Sequence, residues 1–97
     1  MPTYVVLASF TEKGAHDVKD TVSRADKFKE MAKKAGVTVK EMYWTLGPTD
    51  VVTICDAPDD ETATSLSMSV AARGFVRTQT LRAFTPSEIQ KILDRLV

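Results

Sequence analysis

The corner Gly47-Pro48-Thr49-Asp50 contains the strongest candidate for chemistry in this sequence. The carboxylate of Asp50 could accept a proton or fix a polar ligand at the start of a strand. A structural role explains the same residues, because Gly47 can take positive φ, Pro48 fixes its own φ, and Asp50 can bond nearby backbone amides. Both interpretations stay open, and the pattern favours the structural one.

His16 is the second candidate acid or base, since it is the only histidine in the chain. Asp17 lies beside it and Asp20 follows one helical turn later, so the three residues could form a weak metal or acid–base cluster. A single histidine near a helix start more often makes a local polar contact. One histidine and one cysteine are also too few for a structural zinc site, and we expect neither metal nor cofactor.

Trp44, Arg77 and Arg82 are the candidate ligand contacts. Tyr43 and Trp44 are adjacent on a predicted strand and must face opposite sides, so Trp44 either stacks on a planar ligand or anchors packing. Arg77 and Arg82 are an odd number of residues apart on the predicted fourth strand, so their side chains point to opposite faces of the sheet. Only one of them can therefore face a given cavity. There it could hold a carboxylate or an enolate through two hydrogen bonds; elsewhere it would be a surface or interface residue.

The elements that must position these residues follow from hydrophobic periodicity, turn residues and caps. The first predicted helix has its apolar residues on one side, at Val18, Val22, Ala25, Phe28, Ala32 and Ala35. Thr85-Pro86-Ser87-Glu88 forms a capping box with proline at the first helical position. The predicted strands are Thr3–Ser9, Val37–Leu46, Val51–Asp56 and Phe75–Phe84, and the predicted helices are His16–Ala35, Asp60–Ala72 after the cap Asp59, and the segment after Thr85.

The order β-α-β-β-α-β plus a C-terminal helix predicts the α+β class and a ferredoxin-like unit, with two helices on one face of a four-stranded antiparallel sheet. Both alternating residue sets of the fourth strand are less polar than a fully solvated face requires. A second copy packing its sheet face to face would cover the open side around a central space. The C-terminal helix could instead fold across that side or reach over to the partner.

Composition restricts the classes of function. The 97 residues fit one domain over 1–97, and 13 basic against 13 acidic side chains give no general attraction to nucleic acid. No apolar run approaches the ~20 residues of a membrane span, so no membrane contact is expected. A single cysteine, Cys55, is typical of a protein in the reducing cytoplasm. We interpret Cys55 as a small apolar residue in the interior of its strand.

Four segments, MPTYVVLASFTEKG, AKKAGVTVKEMYWTLGPTDVV, APDDETA and VRTQTLRAF, resemble the GYD domain family in order and spacing. The resemblance covers essentially the whole chain. Gly47 and Asp50 match the Gly-x-Tyr-Asp signature, while Thr49 holds the position of the tyrosine, so no role of that phenol transfers. The resemblance implies a dimeric α+β barrel without an established activity.

Three functions are compatible with these residues. The leading prediction is a homo-oligomeric binding module that holds a small, partly planar ligand between sheet and helices, with a wall from Trp44, Asp50 and one of Arg77 and Arg82. The alternative is a cofactor-independent oxygenase or isomerase of the dimeric-barrel type, with Asp50 or His16 as base and an arginine stabilising the anion. A third possibility is an assembly module with no ligand.

Overall fold

The chain forms one four-stranded sheet with its two long helices on the same face, and the computed structural model describes all residues 1–97. In chain order the elements are β1 (Thr3–Phe10), α1 (Glu12–His16), a 3₁₀ turn (Val18–Asp20), α2 (Thr21–Lys34), β2 (Thr38–Trp44), β3 (Val51–Asp56), α3 (Asp60–Ala72), β4 (Val76–Ala83) and α4 (Pro86–Leu93). The strands are antiparallel in the order β2-β3-β1-β4. This arrangement confirms the predicted α+β, ferredoxin-like fold class.

The prediction of one continuous first helix over His16–Ala35 is wrong at its start. A separate short helix, α1, begins after Thr11, whose Oγ1 accepts from the backbone N–H of Gly14 at 3.1 Å. The chain then turns, and the Arg24 guanidinium reaches back to donate to the carbonyl oxygen of Asp17 at 2.8 Å. This bond satisfies a carbonyl between the two helices and holds the break in place.

The break changes which residues of α2 face the sheet. Val18 and Val22 were predicted to face inward, yet their exposed fractions are 42% and 60%. Ala35, also predicted to face inward, is exposed. The predicted residues Phe28, partly buried, and Ala32, fully buried, do face the sheet, and Met31, which was not predicted, packs beside them. The covered face of the sheet therefore receives fewer apolar side chains from α2 than the periodicity predicted.

The well-packed core lies towards the end of the sheet where β1 begins. Tyr4 is its largest member, and its hydroxyl donates to Asp60 Oδ1 at 2.5 Å, which ties β1 to the first turn of α3. That hydrogen bond, with burial as the second cause, raises the pKa of Tyr4 to about 12. The buried cluster comprises Tyr4, Ala32, Val37, Cys55, Ala57, Ala63 and Leu66.

The opposite face of the sheet has no helix over it, as predicted. Residues paired directly across antiparallel strands point to the same side, so the strand register identifies the members of this open face. Tyr43 and Leu81 are 54% and 49% exposed there. Two neighbouring rows form its centre: Tyr43, Val52, Leu7 and Gln79, and then Glu41, Ile54, Val5 and Leu81.

Helix α4 makes few contacts with the other elements. The whole molecule, including α4, measures 50 × 30 × 19 Å. The predicted capping box is confirmed: Glu88 N–H donates to Thr85 Oγ1 at 3.2 Å, and Thr85 N–H donates to Glu88 Oε1 at 2.9 Å. No helix or strand packs closely against α4. Its apolar side chains are all exposed: Ile89, Ile92, Leu93 and, just beyond the helix, Leu96.

Candidate functional site

The corner between β2 and β3 is held by backbone hydrogen bonds that include Asp50. Its Oδ2 accepts from the backbone N–H of Phe10 at 2.8 Å, and its own N–H donates to the carbonyl of Ala8 at 2.9 Å. Gly47 has a φ of +101°, as the turn chemistry predicted. The Asp50 side chain therefore fastens the corner to the end of β1, and it does not line the cavity between α2, α3 and the sheet.

A cavity of about 620 Å³ lies between α2, α3 and the covered face of the sheet. The space stays open because the two helices make few contacts with each other, although Ala32 of α2 shares the buried cluster with Ala63 and Leu66 of α3. Most of its lining is apolar, and its volume falls in the range of about 300–1,000 Å³ typical of small-molecule sites. The apolar walls include Phe28, Met31, Met42, Trp44, Val70 and Phe75.

Trp44 is the predicted ligand contact that the structure places in this cavity. Its indole Nε1 donates to Thr21 Oγ1 at 3.1 Å, which joins the end of β2 to the start of α2, and 43% of the residue stays exposed. Tyr43 points to the open face, so the predicted opposition of the two aromatic rings is confirmed. An indole at this position presents a flat apolar surface to anything that enters the cavity.

Arg77 and Arg82 lie on opposite sides of β4, and neither lines the cavity. Arg77 is exposed and is paired in register with Ser9 on the open face. The Arg82 guanidinium lies 4.6 Å from the centre of the Phe84 ring and 3.7 Å from the carboxylate of Glu88. Arg82 therefore connects β4 to the first turn of α4.

His16 ends the short helix α1 and faces solvent, with 86% of its side chain exposed. Its Nδ1 lies 2.9 Å from Asp17 Oδ1, but the ring itself does not line the cavity. Nowhere do three or more His, Cys, Asp and Glu side chains come together as a metal site would require. Cys55 is buried at the sheet surface of the cavity, where desolvation followed by the nearby Asp56 charge raises the pKa of its thiol.

The basic residues that line the cavity were not predicted: Arg24, Lys27 and Arg73. Asp17 and Asp20, which were considered as a cluster with His16, line the cavity without it. Arg24 precedes Phe28 by four residues, so a charge on the inner side of an otherwise apolar helix face was the detectable feature. Arg73 is the C-cap of α3, just before Gly74. Basic residues are common at helix C-termini, so no signal in the sequence indicated that Arg73 lines a cavity. The cavity therefore has an apolar interior and a charged rim.

A family model described as "GYD domain" matches residues 4–93. The chain belongs to the GYD domain family. A relative from Thermus thermophilus, named "Glutamine synthetase and cystathionine beta-lyase binding protein", is 33% identical over 90 residues, and the match covers 92% of this chain and 95% of that protein. In this GYD domain, the carbonyl oxygen of Thr49, at the signature tyrosine position, accepts a hydrogen bond from Thr45 Oγ1 at 2.5 Å.

No helix in the structure is long and apolar enough to cross a membrane.

Proposed function

We propose that this GYD domain protein is a binding protein whose partners are other proteins, and that α4 is the element they contact. The observation that carries the proposal is the apolar stripe of α4, defined as Ile89, Ile92, Leu93 and Leu96, which nothing in the chain covers. An amphipathic helix of this kind docks its apolar side into a groove of a partner. The name of the Thermus thermophilus relative supports the same class of function.

The partners to test are glutamine synthetase and cystathionine beta-lyase from the organism that encodes this chain, because these enzymes appear in the name of the relative. Metabolic enzymes of this kind also suit the cytoplasmic location predicted from the single Cys55. The affinity of each purified enzyme for the chain would be measured by surface plasmon resonance. We expect saturable binding of at least one of them.

The binding surface is tested with Ile92→Gln, which removes an apolar side chain from the middle of the stripe. Losing one buried aliphatic group from an interface costs roughly 1.5–3 kcal/mol, so we expect binding to weaken about tenfold or more. Lys91→Gln on the opposite side of α4 is the matched control and should bind like the parent. Equal binding by all three proteins would exclude α4 as the contact element.

Self-association through the open face is a further part of the proposal. Exposed apolar residues in adjacent rows, including Tyr43 and Leu81, support a face-to-face contact with a second copy. Sedimentation velocity should then show a dimer that Leu81→Glu converts to monomer. A folded monomer at micromolar concentration would contradict the dimeric barrel.

A small ligand in the cavity between α2, α3 and the sheet is the second candidate function, and the volume of about 620 Å³ favours it. Of the four ligand contacts predicted from the sequence, Trp44 is the one that we keep in this proposal. Native mass spectrometry of the purified protein would show whether a small molecule is retained. A retained mass that is lost in Trp44→Ala, and kept in Tyr43→Ala on the open face, supports the proposal.

A further inference from the structure

One side-chain hydrogen bond crosses the gap between α2 and α3, and its acceptor is a poor one. Arg73 donates through Nη1 to the thioether sulfur of Met31 at 3.0 Å. Because a thioether is a weak acceptor and a guanidinium carries five N–H donors, most of the hydrogen-bonding capacity of Arg73 is left over. No carboxylate lies within ion-pair distance of this guanidinium, although it stands at the rim of the cavity.

The other roles that could occupy Arg73 are filled by neighbouring groups. Its carbonyl oxygen, at the end of α3, accepts from Lys13 Nζ at 3.3 Å, so the helix end does not need the guanidinium. Arg24, the other arginine on the rim, is already used: it donates to the Asp17 carbonyl and lies 4.5 Å from the centre of the Phe75 ring. Arg73 is therefore the free cation of the pair.

The surroundings of Arg73 favour an anion. Lys13 lies 4.3 Å from the centre of the same Phe75 ring, so Lys13 and Arg24 add two positive charges at this end of the cavity. Asp17 and Asp20 are the two acids that line the cavity, and Asp17 is in contact with His16 at 2.9 Å. The lining cations, Arg24, Lys27 and Arg73, outnumber these acids. An anionic group entering here meets cations, and the rest of the ligand meets apolar walls.

We infer that the cavity binds an apolar monocarboxylate, with its carboxylate on the guanidinium of Arg73 and its apolar body between α2, α3 and the sheet. This inference rests on the small-ligand function proposed above and names the class of ligand. The carboxylate takes the place of the Met31 sulfur, because a guanidinium forms two parallel, charge-assisted hydrogen bonds with a carboxylate. The apolar body displaces water from the walls around Phe28, Met42 and Trp44.

The four methionines provide a direct readout of where a probe binds. Met31 and Met42 line the cavity, whereas Met1 and Met68 lie outside it and are 67% and 68% exposed. Protein labelled with ¹³C at the methionine methyl groups would be titrated with octanoate, and separately with 1-octanol as the uncharged analogue. We expect saturable shifts of the Met31 and Met42 resonances, with those of Met1 and Met68 unchanged.

Arg73→Gln tests the carboxylate contact itself. Replacing a charge-assisted pair by a neutral one should weaken octanoate binding about tenfold and change 1-octanol binding less than about twofold. Arg77→Gln, which removes an arginine from the open face, is the matched control and should alter neither affinity. An unchanged backbone amide spectrum and an unchanged urea unfolding curve of the free Arg73→Gln protein would show that its fold is preserved.

Two results would overturn the inference in different ways. If Met31 and Met42 respond but Arg73→Gln weakens both probes equally or neither, the carboxylate contact is wrong while a small-ligand site remains. If neither probe shifts Met31 or Met42, the monocarboxylate class is wrong. The search for retained molecules by native mass spectrometry then decides the small-ligand function separately.

Discussion

Helices α3 and α4 have similar N-terminal caps, but the apolar side of α3 is buried and that of α4 is exposed. Asp59 caps α3 by accepting from the N–H of Thr62 at 2.7 Å, and Thr85 caps α4 within a capping box. Helix α3 places Ala63 and Leu66 in the core, each 7% exposed. Helix α4 has larger apolar residues on one side, and all of them face solvent.

The helix with the more distinct apolar side is thus the one without a cover. Local sequence is sufficient to form each helix, but only α3 has a complementary surface within the same chain. A side as apolar as that of α4 is maintained at a cost to solubility unless another surface uses it. Helix α3 therefore contributes to the core, while the apolar side of α4 stays exposed and is the surface that we propose for partner binding.

The largest expected difference between the two helices is in their contribution to stability. Leu66→Ala should lower the free energy of unfolding by about 2–4 kcal/mol, because it leaves a cavity in the packed core. Ile92→Ala should lower it by less than about 0.5 kcal/mol in the free chain, because Ile92 has no core contact to lose. Urea unfolding of both variants and the parent measures the difference.

Protein concentration is the control for that measurement. If Ile92→Ala is destabilising only at high concentration, α4 packs against a second copy of the chain. If it costs as much as Leu66→Ala at every concentration, α4 packs within its own chain and the comparison fails.

A smaller effect is expected at the contact that joins α3 to the sheet. Tyr4→Phe removes the hydrogen bond to Asp60 and should cost about 0.5–1.5 kcal/mol at neutral pH. In the folded parent, the Asp60 bond and burial raise the pKa of Tyr4 to about 12, whereas a tyrosine in the unfolded chain ionises near 10. The stabilisation is therefore complete below pH 10 and is lost as the pH rises from 10 to 12.

The measurement is the free energy of unfolding of parent and Tyr4→Phe between pH 8 and pH 12. The parent should lose stability more steeply above pH 10, and parallel curves would contradict the role of the tyrosine proton. Glu88→Gln provides the comparison on α4, where the ion pair with Arg82 is exposed. We expect no measurable change in the unfolding of that variant.

The features that were predictable from the sequence are those decided by neighbouring residues. The caps at Asp59 and Thr85, the bounds of β3 and α3, and the opposite directions of Tyr43 and Trp44 all follow from local patterns. The features that were missed depend on contacts between distant residues. Asp50 bonds the amide of Phe10, 40 positions away, and no spacing rule connects the two.

The cavity was missed in its details for the same physical reason. A gap between α2 and α3 depends on how far apart both helices sit on the sheet, which periodicity does not encode. The break before α2 depends on Arg24 reaching back to the Asp17 carbonyl, and it moved Val18 and Val22 out of the core. A space between sheet and helices could be predicted from the layer order alone, whereas the charged residues around it depend on the three-dimensional arrangement. Binding of a ligand there stays a prediction.

The expected effect of the caps is local to each helix, and it separates the two helices most clearly. Thr85→Ala removes the acceptor for the Glu88 N–H, a loss worth about 1 kcal/mol to a helix. Helix α4 has eight residues and no packing, well below the roughly 12–15 residues that a marginal isolated helix needs, so it should fray. Asp59→Ala removes the equivalent cap of α3, which should stay helical because Ala63 and Leu66 hold it in the core.

Backbone ¹³Cα shifts and amide exchange of α4 and α3 would be compared in the two variants. Loss of helix in α4 without a change in the unfolding of the remaining chain is the expected result for Thr85→Ala. Partner binding should then weaken about fivefold, because a frayed α4 must be ordered before it can dock. If α4 keeps its full helicity in Thr85→Ala, a surface that already covers it must be holding it in solution, and α4 is then not free to receive a partner.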